Sequence, residues 1–174
     1  KYFAFAPSFR REAGAYRKEE RGMIRGHQFH KIEMFQFTHP DKSWQAFDEL
    51  QKNAEQLVEG LGLHYQSSLL AAGDASAAMA KTIDVEVWIP SMQIYKEVSS
   101  ISNALDYQAR RGNVRFKDID GKNKFVHTLN ASGLATSRLI PAILEQFQQK
   151  DGSVEVPKVL KEWVGKKRLE IKKM

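Results

Sequence analysis

Two kinds of hydrophobic pattern alternate along the chain, and the first predicts a hairpin. Residues 1–9, KYFAFAPSF, place aromatic and small side chains on alternate sides, as a β-strand does, with Pro7 as a strand breaker. Residues 26–37, GHQFHKIEMFQF, alternate in the same way. Because a polar loop joins the two runs, they predict a long antiparallel hairpin.

The second pattern predicts an amphipathic helix. Residues 40–61, PDKSWQAFDELQKNAEQLVEGL, carry apolar side chains at spacings of three and four, and Gly60 or Gly62 supplies a stop signal. Further along the chain, the pattern predicts three extended runs, at 63–72, 82–90 and 94–102. A short helix is predicted to follow at 103–111.

The C-terminal third combines a hairpin signal with a second helix. Residues 113–130 form two extended runs about an Asp-Gly turn. Residues 134–148 put apolar side chains on one helical face, although Pro141 predicts either a kink or a later start. Beyond them we expect a short helix initiated at Pro157 and a basic tail over 165–174 that frays.

These elements indicate an α+β fold with a mainly antiparallel β-sheet flanked by helices, because the strands arrive mostly as hairpins. A chain of 174 residues with 42% hydrophobic and 28% charged content fits one soluble domain. No run approaches the roughly 18 apolar residues that a membrane span needs. Since the chain opens on Lys1 in a strand pattern rather than a leader, we expect a piece of a longer protein.

Charge and cysteine content narrow the partners and the compartment. The net charge of +6 favours an anionic partner such as a nucleotide or nucleic acid, and a merely soluble basic surface is the alternative. The absence of cysteine excludes disulfides and thiolate metal sites, and it suits a reducing compartment, the cytoplasm or an organelle matrix. Neither of the common glycine-rich phosphate-binding motifs occurs.

The predicted hairpin carries an unusual set of polar side chains. Alternation places Arg10 and Glu12 on one face of the first strand, and Phe29 and Glu33 on one face of the return strand, with Arg25 nearer the tip. Guanidinium groups bind phosphate oxygens, an aromatic ring accepts a base, and carboxylates bind an amine. This inventory suits ATP and an amino compound, whereas a solvated charged face is the alternative.

Two short strings resemble a known family motif. FRRE, a loop, and RGHQF resemble motif 2 of the class II aminoacyl-tRNA synthetases: Phe-Arg-x-Glu, a variable loop, then Arg or His, three residues and Phe. Longer strings, AFAPSFRREAGAY, RGMIRGHQFHKIE, EVSSISNALDYQARR and TLNASGLATSRLIPAILEQFQQKDGSVEVPKVL, resemble seryl-tRNA synthetases over nearly the whole chain.

The resemblance implies a domain assignment. Residues 1–174 would form the C-terminal part of the class II catalytic domain, with motif 2 at about 1–37 and motif 3 at about 125–148. The family's helical tRNA-binding arm and its motif 1 are not expected within this chain.

The resemblance also implies roles at the nucleotide. Arg10 would contact the ATP α-phosphate and the substrate carboxylate, and Glu12 would read the adenine amino group. Arg25 would hold the bent triphosphate and Phe29 would stack on adenine. Arg138 would reach the γ-phosphate, although without the resemblance it could be a surface residue.

Arg10 and Arg138 are the implied catalytic residues. Further ATP contacts are implied at Arg11, Glu97, Val98, Ser99 and Ser100.

A divalent ion and a serine pocket complete the implied site. Glu97 and Ser100 would hold Mg²⁺, but they lie three residues apart, so a regular strand needs a bulge to turn both toward one ion. Glu33, Asn130 and Ser132 would join Arg10 in binding serine. Without the resemblance, a turn or helix-cap role is the favoured interpretation of Asn130 and Ser132.

The motif 2 loop has two interpretations. In the family it meets the acceptor end of tRNA, which implies phosphate contacts by Arg17, Lys18 and Arg21. A solvated tip, in which neighbouring glutamates cancel part of the charge, is the alternative.

The resemblance implies a serine–tRNA ligase that uses ATP and Mg²⁺, acts on L-serine and tRNA(Ser), is a homodimer when complete, and involves no membrane. A synthetase-like binding or regulatory module, or an enzyme that charges an acceptor other than tRNA, are the alternatives. The flanking Phe9 is expected to pack in the core.

Overall fold

The computed structural model describes residues 1–11 and 22–171 of the chain. Its strands are β1 (Tyr2–Phe9), β2 (Gln28–Thr38), β3 (Tyr65–Leu69), β4 (Lys81–Ile89), β5 (Ile94–Asn103), β6 (Arg115–Lys117), β7 (Asn123–Phe125), β8 (His127–Ala135), β9 (Val154–Glu155) and β10 (Arg168–Leu169). Its α-helices are α1 (Ser43–Leu61), α2 (Tyr107–Gly112), α3 (Thr136–Gln146) and α4 (Lys161–Val164).

A six-stranded sheet forms the centre of the described part, in the order β1-β2-β8-β5-β4-β3. Every neighbouring pair in it is antiparallel. The predicted antiparallel sheet is therefore confirmed. Strand β8 comes late in the sequence but lies between β2 and β5, so residues far apart in the chain become neighbours on one surface.

The N-terminal hairpin has the predicted form. Strands β1 and β2 pair in a constant register from Tyr2 opposite Phe35 to Phe9 opposite Gln28. Pro7 is tolerated inside β1 because this strand is at the sheet edge, where a missing N–H disturbs no central pairing. The expectation that Phe9 packs in the core is wrong, since its side chain is 71% exposed on that edge strand.

Helix α1 covers one face of the sheet and ends as predicted. Gly62 follows it with a φ of 72°, a left-handed conformation that glycine adopts at little cost. The apolar stripe of α1 packs with α3 and the inward side chains of β4, β5 and β8 in one core cluster. Members of this cluster include Phe47, Leu50, Val58, Val85, Val87, Ile101, Leu129 and Ala142.

The second helix begins later than the apolar pattern suggests. Strand β8 continues to Ala135 and α3 starts at Thr136, so Leu134 belongs to the strand, with a φ of 75°. Gly133 lets β8 approach β2 closely, because a Cβ there would lie 3.1 Å from Cγ2 of Ile32. Pro141 lies inside α3, so it does not mark the start of the helix.

The basic tail is also more ordered than expected. Strand β10 pairs antiparallel with β9, with Arg168 opposite Glu155 and Leu169 opposite Val154, so the tail does not fray over these residues. Among the described residues, no helix combines the length and apolar character that crossing a membrane requires.

Phe47 provides a test of the core. Its side chain is fully buried on α1, so we expect Phe47→Ala to lower the free energy of unfolding by about 3–5 kcal/mol through lost burial and a residual cavity. Leu57→Ala on the same helix is the matched control, because Leu57 is 44% exposed and should cost about 1 kcal/mol or less. Urea denaturation of both variants makes the comparison, and equal losses would contradict the assigned core.

Candidate active site

The hairpin brings Arg10 and Phe29 together. The backbone N–H of Arg10 donates to the carbonyl of His27 at 2.8 Å, which continues the β1–β2 pairing one residue beyond β1. Alternate side chains of the two strands then share a face. The guanidinium carbon of Arg10 lies 4.7 Å from the centre of the Phe29 ring. A cation and a flat aromatic surface are therefore held side by side.

A β-bulge in β5 places Glu97 and Ser100 on the same face of the sheet. Glu86 of β4 pairs with Glu97 and the adjacent Val85 pairs with Ser99, so Val98 is an extra residue in β5. This offset gives Glu97 and Ser100 the spacing of same-face neighbours. The bulge that a shared ion requires is present.

Arg138 connects α3 to the bulge. Its Nη1 donates to the backbone carbonyl of Glu97 at 2.8 Å and lies 3.4 Å from Oε2 of the same residue. Its Nε donates to the carbonyl of Ile24 at 3.4 Å. The Arg138 side chain is only 11% exposed, and these backbone carbonyls hold its guanidinium in place. The Glu97 side chain is 44% exposed, so its carboxylate remains accessible.

A second polar group surrounds Glu33 on β2. Nδ2 of Asn130 donates to Oε1 of Glu33 at 2.9 Å, and Oγ of Ser132 donates to Oε2 at 3.4 Å. Lys31 forms an ion pair with Oε2 at 3.0 Å. Both Asn130 and Ser132 lie inside β8, so neither is a turn or cap residue. The arrangement is a carboxylate surrounded by hydrogen-bond donors.

One narrow cleft joins these groups. It is lined by Arg10, just beyond β1, and by residues from β2, β5, β8 and α3, namely Phe29, Lys31, Glu97, Ser132, Ala135, Ser137 and Arg138. The order of the central sheet explains the convergence, because β8 brings Ser132 between β2 and β5. The cleft thus offers two guanidinium groups, one ring and one carboxylate within a small space.

The remaining predicted positions have different environments. Arg11 is exposed beyond the end of β1, and Arg25 is half-buried at the end of a short 3₁₀ turn, Gly22–Arg25. The side chains of Val98 and Ser99 are buried; the Ser99 hydroxyl donates to the carbonyl of Ser132 at 2.6 Å. Any ligand contact by Val98 or Ser99 therefore falls to the backbone. Four predicted residues lie outside the described residues: Glu12, Arg17, Lys18 and Arg21.

Sequence reasoning missed Asp84. It lies in β4 opposite Ser100, on the face that carries Glu86 and Glu97, and its residue surface is 9% exposed. Burial raises the pKa of Asp84 from the usual 3.8 to about 6; the Ser100 hydrogen bond and the positive charge of Arg138 lower it, while Glu97 and Glu86 raise it. The sequence signal for this residue was an acidic side chain within a strand of otherwise alternating apolar residues. Strand alternation alone predicts that such a side chain faces solvent.

The donor set of Glu97 and Ser100 suits Mg²⁺. This ion is usually held by one or two carboxylates together with substrate phosphates, rather than by a complete protein cage. Among the described residues, no group of three His, Cys, Asp or Glu side chains converges as a metal cage. A site of one accessible carboxylate and one hydroxyl beside two arginines therefore fits a nucleotide-bound ion.

Asp84 predicts a pH dependence of stability in the metal-free protein. Because its folded-state pKa lies above the unfolded value, the folded state binds the proton more tightly, and stability falls as the pH rises from about 4 to about 6. A pKa shift of about two units corresponds to about 3 kcal/mol. We therefore compare the free energy of unfolding of the wild type with that of Asp84→Asn. We expect the wild-type value minus the Asp84→Asn value to fall by about 1–3 kcal/mol across this pH range. Urea denaturation at pH 4 and pH 7 measures it, and a pH-independent difference would refute the assignment.

Comparisons with known proteins show the family to which the chain belongs. The sequence profile of the tRNA synthetase class II core domain (G, H, P, S and T) matches residues 1–147. The chain is 66% identical over 170 residues to serine–tRNA ligase 2 of Clostridium acetobutylicum, an alignment covering 97% of this chain and 40% of that protein. The chain thus spans about two fifths of the length of this relative.

Solved structures show the same fold. The crystal structure of seryl-tRNA synthetase from Pyrococcus horikoshii complexed with ATP superposes with a TM-score of 0.91 at 44% identity, covering 97% of this chain and 38% of that one. Cytoplasmic serine–tRNA ligase from Naegleria fowleri in complex with AMP gives 0.89 at 38% identity, covering 99% and 41%. The chain therefore belongs to the class II tRNA synthetase core-domain family (G, H, P, S and T), and it has the class II catalytic fold.

Proposed function

We propose that the complete protein is a serine–tRNA ligase. It would convert ATP and L-serine to seryl-adenylate and pyrophosphate, and then transfer the seryl group to the terminal ribose of tRNA(Ser). The observation that carries this proposal is the convergence of Arg10, Phe29, Glu97 and Arg138 on one cleft, which Ser132 links to the polar group around Glu33. The similarity to seryl-tRNA synthetases, one of them complexed with ATP, supports it.

The cleft is suited to a bent nucleotide. Adenine would stack on the Phe29 ring, and base–aromatic stacking contributes about 1–3 kcal/mol. Arg25 and Arg138 would neutralise the β- and γ-phosphates, and Arg11 would add charge at the rim. Glu12 would read the exocyclic amine of adenine, and the backbone of Val98 and Ser99 would contact the nucleotide.

The chemical step needs charge stabilisation rather than a general base. A carboxylate oxygen of serine attacks the α-phosphorus as the bond to the bridging oxygen breaks, and pyrophosphate leaves with the electron pair. Because the nucleophile is already ionised, no proton is transferred in this step. Arg10 and Arg138, fixed before substrate arrives, would stabilise the added charge on the phosphate oxygens. Glu97 and Ser100 would hold Mg²⁺, which neutralises phosphate charge when bound.

The polar group around Glu33 would select serine. Its carboxylate and the Ser132 hydroxyl would pair with the hydroxyl of the substrate, and Asn130, which donates to the carboxylate at 2.9 Å, would help to position it. A substrate without a hydroxyl cannot form these hydrogen bonds, and a buried polar group left unpaired costs about 1–3 kcal/mol. Alanine would therefore be rejected although it fits by size.

The second substrate and the assembly rest on the family resemblance. The acceptor end of tRNA(Ser) would meet the motif 2 loop through the phosphate contacts of Arg17, Lys18 and Arg21. The complete protein would be a homodimer, and the cytoplasm is the compartment that suits this role.

Arg10→Ala tests the proposal directly. We expect serine-dependent ATP–pyrophosphate exchange by the complete protein to fall at least about 100-fold, since one charge at the reacting phosphate contributes about 3 kcal/mol or more. The melting temperature should stay close to that of the wild type, because Arg10 serves the cleft rather than the apolar core. Arg111→Ala on α2, which changes an arginine outside the cleft lining, is the matched control.

Several outcomes would change the proposal. Exchange stimulated by threonine, alanine or cysteine but not by serine would refute it. Exchange with serine but no charging of tRNA(Ser) would favour an acceptor other than tRNA. Loss of folding in Arg10→Ala would remove the support that this variant gives.

Glu33→Gln tests the amino-acid pocket separately. The substitution keeps the shape of the side chain and removes its charge, so we expect kcat/KM for serine in the exchange reaction to fall about 10- to 100-fold. The affinity for an ATP analogue should change less than threefold. An equal loss in ATP affinity would instead assign Glu33 to the nucleotide site.

A further inference from the structure

Asp84 is a buried carboxylate that the assigned residue roles leave unused. Its residue surface is 9% exposed, and its Oδ1 atom is buried with no hydrogen-bond partner among the described residues. A carboxylate oxygen in such a position is costly for folding unless something offsets the desolvation. The neighbouring strand suggests what this residue does.

The register of β4 and β5 aims Asp84 at Ser100. These two residues are direct cross-strand partners, and the bulge at Val98 puts Glu97 on the same face. A side-chain hydrogen bond from Ser100 acts on the Asp84 carboxyl and lowers its pKa, against the effect of burial. Arg138 holds the backbone carbonyl of Glu97 at 2.8 Å. Asp84 thus lies next to the proposed ion ligands, on the same face of the sheet.

The chemistry of a hydroxyl ligand explains why an acceptor is needed there. A serine hydroxyl has one proton and two lone pairs, so it binds a cation through a lone pair only when its proton points elsewhere. A carboxylate next to the hydroxyl accepts a hydrogen bond from it, which turns the oxygen lone pairs toward the cation and makes the oxygen a stronger electron-pair donor. Groups that orient metal ligands in this way typically change metal affinity 10- to 100-fold when removed.

We propose that Asp84 is a positioning residue for the divalent ion. Asp84 orients the Ser100 hydroxyl by accepting a hydrogen bond from it. Asp84 would act through Ser100 rather than as a ligand of its own, because its residue surface is only 9% exposed whereas the Glu97 side chain is 44% exposed. This inference rests on the proposed function, since it uses the ion that accompanies the nucleotide there.

The test is Mn²⁺ binding to the complete protein with the ATP analogue AMPPNP, without serine so that no adenylate forms, followed by electron paramagnetic resonance. Asp84→Asn should weaken Mn²⁺ binding 10- to 100-fold. Its melting temperature in EDTA should be no lower than that of the wild type. If Asn does not fold at this position, Asp84→Val, which favours a strand and has no acceptor, replaces it with the same expected loss.

Glu86→Gln is the matched control for charge. Glu86 lies two residues away on the same strand and face, but its Oε2 accepts from Gln66 at 2.8 Å instead of facing Ser100. It should leave Mn²⁺ affinity within threefold of the wild type. An equal loss in both variants would assign the effect to overall negative charge and overturn the proposal.

A double-mutant cycle separates positioning from a structural role. Because Asp84 acts through Ser100, Asp84→Asn should have little further effect in a Ser100→Ala background. Multiplicative losses would overturn the proposal, as would unchanged Mn²⁺ binding in Asp84→Asn. A wild-type protein that does not bind Mn²⁺ with AMPPNP would overturn the proposed function as well, so the two failures are distinguishable.

Discussion

The extra residue in β5, Val98, holds the geometry on which the candidate site depends. Its side chain is 1% exposed and belongs to the core cluster, so the bulge is anchored by apolar packing. A one-residue slip would turn Val98 to the polar face and direct the Glu97 carboxylate into the core, and both changes are unfavourable. Burial of a valine contributes about 1.5–3 kcal/mol. Core packing therefore fixes the positions of two polar residues on the opposite face.

Arg138 transmits this constraint to the rest of the cleft. It donates to the carbonyl of Glu97 beside the bulge and to the carbonyl of Ile24, whose side chain is buried in the same core. Helix α3, strand β5 and the turn before β2 are thereby connected through one guanidinium. Since backbone carbonyls move little in a packed sheet, Arg138 is held before any ligand binds. Preorganised charge of this kind avoids reorganisation during reaction.

The sequence predicted the hairpin, both long helices and the antiparallel sheet, because alternation and helical spacing are local signals. It did not predict that α3 begins at Thr136, since the apolar residue Leu134 satisfies the helical pattern but occupies an irregular, left-handed strand position. The β9–β10 pairing was missed because it joins distant segments. Strand alternation suggested Arg10, Glu12, Arg25, Phe29 and Glu33, whereas the other candidate residues were found only through motif resemblance. Asp84 has no motif, and its importance arises from the cross-strand register with Ser100, which no local pattern encodes.

Two ion pairs balance charges at the cleft, whereas a buried carboxylate oxygen close by has no hydrogen bond in the described structure. Lys31 pairs with Glu33, and Arg138 with Glu97, so these groups have compensating interactions in the ligand-free protein. The Oδ1 atom of Asp84 has no hydrogen-bond partner among the described residues, although it is as well buried as many core atoms. A packed apolar side chain at this position would suit folding better. Exceptions to the rule that buried polar atoms form hydrogen bonds are expected at functional sites, where some folding stability is given up for binding or catalysis. The unsatisfied oxygen is therefore better explained by what Ser100 must bind than by what the sheet requires.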